Sequence, residues 1–104
     1  MRYASVMQLF PGCAAEYRQR HDAIWPELVA LLQRYGIGDY HIWLEDDSGR
    51  LFASFEAPAD LDTAGLKQEA VMQRWWAMMA DIMQTLPDSN EPWAGALQPM
   101  FYLA

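Results

Sequence analysis

The sequence holds a single cysteine, Cys13, and a single lysine, Lys67. One thiol excludes an internal disulfide and any zinc site built from several cysteines. Basic charge is scarce. Six Arg and one Lys stand against 14 acidic residues, and the formal net charge is −7. Such a chain lacks the basic patch that phosphate contacts demand, so nucleic acid is not an expected partner. No apolar run approaches the ~20 residues that cross a bilayer. The first eight residues, Met1 to Gln8, lack the apolar stretch of a secretion signal. A soluble cytoplasmic protein without a membrane partner is the expectation. There is no Gly-rich phosphate loop, no Ser-His-Asp order and no His-x-x-x-His metal spacing. Repeats, low-complexity segments and domain linkers are also missing.

What is present suffices for one core. The chain has 104 residues, of which 53% are hydrophobic and 20% charged. That length and composition predict one folded domain spanning 1–104. Five Trp and five Tyr are many for this length. They fill a core or line a pocket for a small molecule or a sugar.

Tyr3 to Leu9 alternates, with Tyr3, Ser5, Met7 and Leu9 on one side, as a strand does. Pro11-Gly12 ends it. From Cys13 to Tyr35 the pattern is helical, with Leu28, Leu31, Leu32 and Tyr35 on one stripe. Pro26 cannot sit inside that helix, but it suits the first position of a second one. A break is therefore expected near Ala23 to Trp25. Gly36 and Gly38 close the second helix. Tyr40 to Glu45 and Leu51 to Glu56 read as two strands joined by the turn Asp46-Asp47-Ser48-Gly49. A second helical region follows, with Val71, Trp75, Met78, Met79, Ile82 and Leu86 as its stripe and Pro87 as its stop. Leu97 to Leu103 is the expected fourth strand, with Pro99 weakening its start.

The order β-α-β-β-α-β predicts an α+β, ferredoxin-like domain with helices on one face of an antiparallel sheet. Apolar side chains occur on both faces of the strands. An uncovered sheet face should be polar, so a second copy of the chain is the expected cover, as a homodimer.

Few residues can carry chemistry. Tyr17 and His21 are four apart and share a helix face, where a phenol and an imidazole could enter one pocket. Any such pair shares a face, so the spacing is equally that of surface decoration. Trp75 and Trp76 point about 100° apart. Trp75 lies on the core stripe, and Trp76 flanks a cavity or an interface. Tyr40 opens a strand, where sites often form, or it is a rim aromatic. His41 faces the other side of that strand. Asp46-Asp47 is a solvated turn, and the Met residues are core filler.

Together these residues resemble a known family. The segment Glu16 to Leu28 resembles the EYxxRHxxIWPEL signature of L-rhamnose mutarotase. Gln73-Arg74-Trp75-Trp76 is similar to that family's QRWW motif, and Phe101-Tyr102-Leu103 to its F-Y-L tail. The likeness runs from Val6 to the C-terminus. It implies a dimeric α/β-barrel that interconverts the α and β anomers of L-rhamnose in rhamnose metabolism, with no cofactor. It also implies that His21 is the proton donor and that Tyr17, Tyr40, Trp75 and Trp76 hold the sugar. Asp22 stands where a member of the family carries Asn, and pointing inward it would raise the His21 pKa. The loop from Ala57 to Leu66 follows no motif of the family. The same fold also hosts cofactor-dependent monooxygenases, and a non-catalytic sugar-binding module is the other alternative.

Overall fold

The computed structural model describes residues 1–104. Strand β1 (Arg2–Gln8) is followed by helices α1 (Ala14–Asp22) and α2 (Pro26–Arg34). The hairpin β2 (Gly38–Glu45) and β3 (Arg50–Glu56) comes next, then α3 (Thr63–Gln68), α4 (Ala70–Met79) and the short β4 (Gly95–Ala96). The sheet order is β2-β3-β1-β4 and every pairing is antiparallel. This is the expected ferredoxin-like order. No helix is long and apolar enough to cross a membrane.

The helix break falls where Pro26 demands it. Trp25 is extended, with ψ 130, and Pro26 is the first residue of α2. Gly36 ends that helix with φ +81. A Cβ there would also lie 2.8 Å from Cδ of Pro58.

Alternation assigns the two faces of the sheet. Ser5, Met7 and Leu9 share a face with Leu51, and with Ile42 and Leu44 across the hairpin. Leu28, Leu31, Met72, Trp75 and Met79 of the helices pack onto Leu9 and Leu51 as one core. On the other face Val6, Phe52 and Trp43 form a row across three strands. Trp43 is 55% exposed there.

Two expectations are corrected. The second helical region is two helices, because Glu69 adopts ψ 133 between them. The Asp62 side chain starts the first by accepting from the Gly65 N–H at 2.9 Å, which satisfies an otherwise orphaned donor. The second stops at Met79, well before Leu86. Ile82 and Met83 still reach the core, but Ile82 from a turn and Met83 from an isolated bridge to Leu9. The Phe10 N–H donates to Ile82 O and the Gln84 N–H to Gln8 O, both at 2.9 Å. Bonding to the end of β1 thus replaces further helical turns.

The fourth strand is Gly95–Ala96 and not Leu97 to Leu103. Its pairing with β1 ends where the Leu97 N–H donates to Ala4 O. Pro99 lies just beyond, with no N–H to continue the ladder. The last residues leave the sheet extended, with Met100 86%, Phe101 85%, Tyr102 85% and Leu103 80% exposed.

Gly36→Ala is expected to lower the unfolding free energy by about 2 kcal/mol in a urea titration, from the left-handed backbone and the contact with Pro58 together. A change within about 0.5 kcal/mol would contradict this packing.

Candidate active site

Helix α1 begins after Cys13, which makes no side-chain cap, and runs nine residues. Its i, i+4 spacing stacks the His21 ring on Tyr17, with centroids 4.3 Å apart. Trp75 on α4 meets His21 edge to face, with centroids 5.4 Å apart and planes at 90°. Trp25 meets Trp75 the same way at 5.1 Å. Tyr17, His21 and Trp75 line an open cavity of about 1470 Å³ between the helices and the sheet, with Trp25 packed behind Trp75. Tyr17, His21, Tyr40, Trp75 and Trp76 all contribute to its wall. All five expected site residues are therefore brought together.

Tyr40 arrives from the sheet. A register irregularity between Gly38 and His41 precedes it, and Asp39 adopts φ 47. The Tyr40 ring stacks on Phe55 at 5.0 Å, and Phe55 stacks on Tyr3 at 5.3 Å. Three aromatic rings thus stand in a line at one end of the sheet. His41 points to the opposite face, where it bonds Asp39 at 3.0 Å and stacks on Trp43.

The electrostatics follow from burial. Nδ1 of His21 lies 3.0 Å from the Tyr17 carbonyl oxygen. A carbonyl only accepts, so Nδ1 carries the hydrogen and the lone pair of the neutral ring is on Nε2. Desolvation lowers the His21 pKa below its usual 6.5, outweighing the Tyr17 carbonyl and Asp22, which both push upward. Asp22 does not reverse the shift because its side chain is mostly in solvent, 3.8 Å from Arg18. Burial, and secondarily Tyr40, raises the Tyr17 phenol. Tyr40 is raised by desolvation as well. It keeps 44% of its surface exposed because it borders the open cavity, while protein atoms crowd the phenol itself. Both tyrosines are neutral hydrogen-bonding groups at neutral pH.

Trp75 is both core and wall, since it is buried and still borders the cavity. Trp76 is half-buried on the same wall. Lys67 and Glu91 form a 3.0 Å ion pair and also line the cavity. No three His, Cys, Asp or Glu side chains are grouped to hold a metal ion.

Trp25, Phe55 and Arg20 shape the site and were not singled out from the sequence. Phe55 alternates with Leu51 and Ala53 on β3, a signal that places it on the cavity side. Trp25 sits in the loop that Pro26 forces. Arg20 stands in the signature segment and four residues from Glu16, but its acceptors on and beyond α4 are about 60 residues away.

An imidazole held between a phenol and an indole, on the wall of a cavity rich in aromatic faces, has the chemistry to exchange protons with a small ring that has apolar faces. The chain belongs to the L-rhamnose mutarotase family, whose family model matches residues 2–103. An L-rhamnose mutarotase of Jannaschia sp. (strain CCS1) is 55% identical over 102 residues, covering 98% of this chain and 97% of that one. One from Sinorhizobium fredii is 52% identical, covering 99% and 98%. The crystal structure of an L-rhamnose mutarotase from Formosa agariphila superposes with a TM-score of 0.90 at 36% identity, covering 100% and 99%.

The His21 ring should titrate with a midpoint below pH 6.5 when followed by imidazole NMR. Only two histidines are present, so a His41→Gln variant assigns the signals. A midpoint at or above 6.5 would mean that Asp22 outweighs burial.

Proposed function

We propose that this chain interconverts the α and β anomers of L-rhamnose, with His21 moving the proton. The observation that carries this reading is the His21 ring on the cavity wall, with Nδ1 engaged by Tyr17 O. Ring opening removes a proton from the anomeric hydroxyl and delivers one to the ring oxygen. The bond from the anomeric carbon to the ring oxygen breaks as the carbonyl forms. Rotation about the adjacent carbon–carbon bond presents the other carbonyl face, and reclosure reverses both transfers. No electron leaves the sugar, so the balance closes without a redox partner.

Neutral Nε2 accepts the anomeric proton first. The imidazolium then acts as the proton donor to the ring oxygen. Both oxygens are bound to the same carbon, so one nitrogen, alone or with a water, serves both. Tyr17 and Tyr40 stay protonated and bind sugar hydroxyls rather than act as phenolate bases. Trp75 and Trp76 offer apolar faces to the C–H side of the ring and to its methyl group. The grip must leave the open aldehyde free to turn, so binding concentrates on the rest of the sugar.

A homodimer completes the reading, with residues 1–104 of each copy acting as one domain in the cytoplasm. The row Val6, Phe52 and Trp43 is an apolar sheet face without a cover, and the apolar C-terminal tail stands free of its own sheet. A second copy buries both, and the two sheets face each other as an α/β-barrel.

Saturation-transfer NMR between the two anomeric protons of L-rhamnose measures turnover directly. His21→Ala is expected to lower kcat by about 10²–10⁴-fold while circular dichroism stays unchanged. Full retained activity would remove His21 from the mechanism. Sedimentation should give a mass of two 12.0 kDa chains, and Trp43→Asp should shift it toward one. A monomeric native protein would refute the dimer.

A further inference from the structure

Helix α1 has little of its own to keep it in place. Its nine residues fall below the ~12–15 at which isolated helices persist in water, and Tyr17 is its one buried side chain. It nevertheless holds the His21 ring against Trp75 on α4. Arg20, next to His21, makes the polar link between these helices. Its Nε donates to Glu16 Oε1 at 2.8 Å on its own helix. Its Nη1 donates to the Met78 carbonyl at 2.7 Å and to Asp81 Oδ1 at 2.8 Å, and its Nη2 to Asp81 Oδ2 at 3.2 Å. The side chain is only 18% exposed, whereas Arg18 two residues earlier stands in solvent.

The acceptors explain why this position uses arginine. The Met78 carbonyl is among the last of α4, which have no partner within the helix. A cation is also favoured at that end of the helix dipole. The flat guanidinium fork meets Asp81 with two nitrogens and still reaches Met78 and Glu16. An ammonium group cannot match that planar geometry.

We propose that Arg20 is a positioning residue for proton transfer: by locking α1 to the C-terminal end of α4, it fixes the His21 ring relative to Trp75 and the cavity. This rests on His21 being the proton-transfer group. A displacement of about 1 Å at such a group costs on the order of 10²-fold in rate. Tyr17 shares α1 with His21, but sugar contacts from Tyr40, Trp75 and Trp76 come from other elements and are expected to survive, so the loss falls more on turnover than on affinity.

Arg20→Ala is expected to lower kcat for anomer exchange by about 10-fold or more, with KM changed by less than about threefold. Its His21 imidazole NMR signals should move. Arg20→Lys should recover only part of the rate. Arg34→Ala, which breaks a comparable 2.7 Å ion pair with Glu69, is the control and should leave kcat unchanged. Should Arg20→Ala fail to fold, Asp81→Asn and Arg20→Lys carry the same comparison. An unchanged kcat in a folded variant overturns the proposal, as does a reduced kcat with the His21 signals unmoved. If His21→Ala itself retains turnover, the site reading fails first. The His21 signals of Arg20→Ala then still decide whether Arg20 holds the ring.

Discussion

Burial of one face of the sheet is the constraint on which the site depends. Leu9 and Leu51 present that face, and α2 and α4 cover it with Leu28, Leu31, Met72, Trp75 and Met79. Helices laid on a twisted sheet do not fill the space evenly. Where α1 and α4 diverge from the sheet, the gap becomes a cavity. Trp75 belongs to both regions, since it anchors α4 in the core and meets His21 edge to face. A change that loosens the core there would also move the imidazole.

Desolvation decides the chemistry of the groups around the cavity. It disfavours charge on every titrating ring, so the imidazole shifts down and the phenols shift up. All three are neutral near pH 7. Such a site suits an uncharged substrate, because neither partner has to strip water from an ion. A reaction that moves protons between two oxygens of one sugar needs only a group that gains and loses a proton near neutrality. Of the cations nearby, Arg20 is turned away toward Asp81 and the end of α4, and Lys67 on the cavity wall is paired with Glu91.

Much of this was legible along the chain because its causes are local. Pro26 can only begin a helix, so the break before it follows from one ring. The spacing of Tyr17 and His21 puts both on one face wherever that helix lies. Strand alternation assigns Tyr40 and His41 to opposite faces. The failures have causes remote in sequence. The stripe through Ile82 reads as helix, but a turn ends α4 and hydrogen bonds to the end of β1 take up the chain that follows. The run Leu97 to Leu103 is apolar enough to read as a strand, yet its pairing with β1 is spent by Leu97 and Pro99 offers no donor beyond it. Asp22 looked able to charge the imidazole, but the direction in which its carboxylate points is set by solvent and Arg18.

The sequence by itself determined the order of elements, the faces of the strands, the scarcity of basic charge and the family signature. These depend on φ restrictions, side-chain periodicity and composition, all carried by neighbouring residues. Only the tertiary structure decided that five aromatic and imidazole side chains from α1, β2 and α4 border one cavity. It alone decided that Trp75 meets the His21 ring, and that Arg20 reaches from α1 to the end of α4. Those outcomes depend on distances between segments tens of residues apart, and packing settles such distances only once the sheet and helices have met.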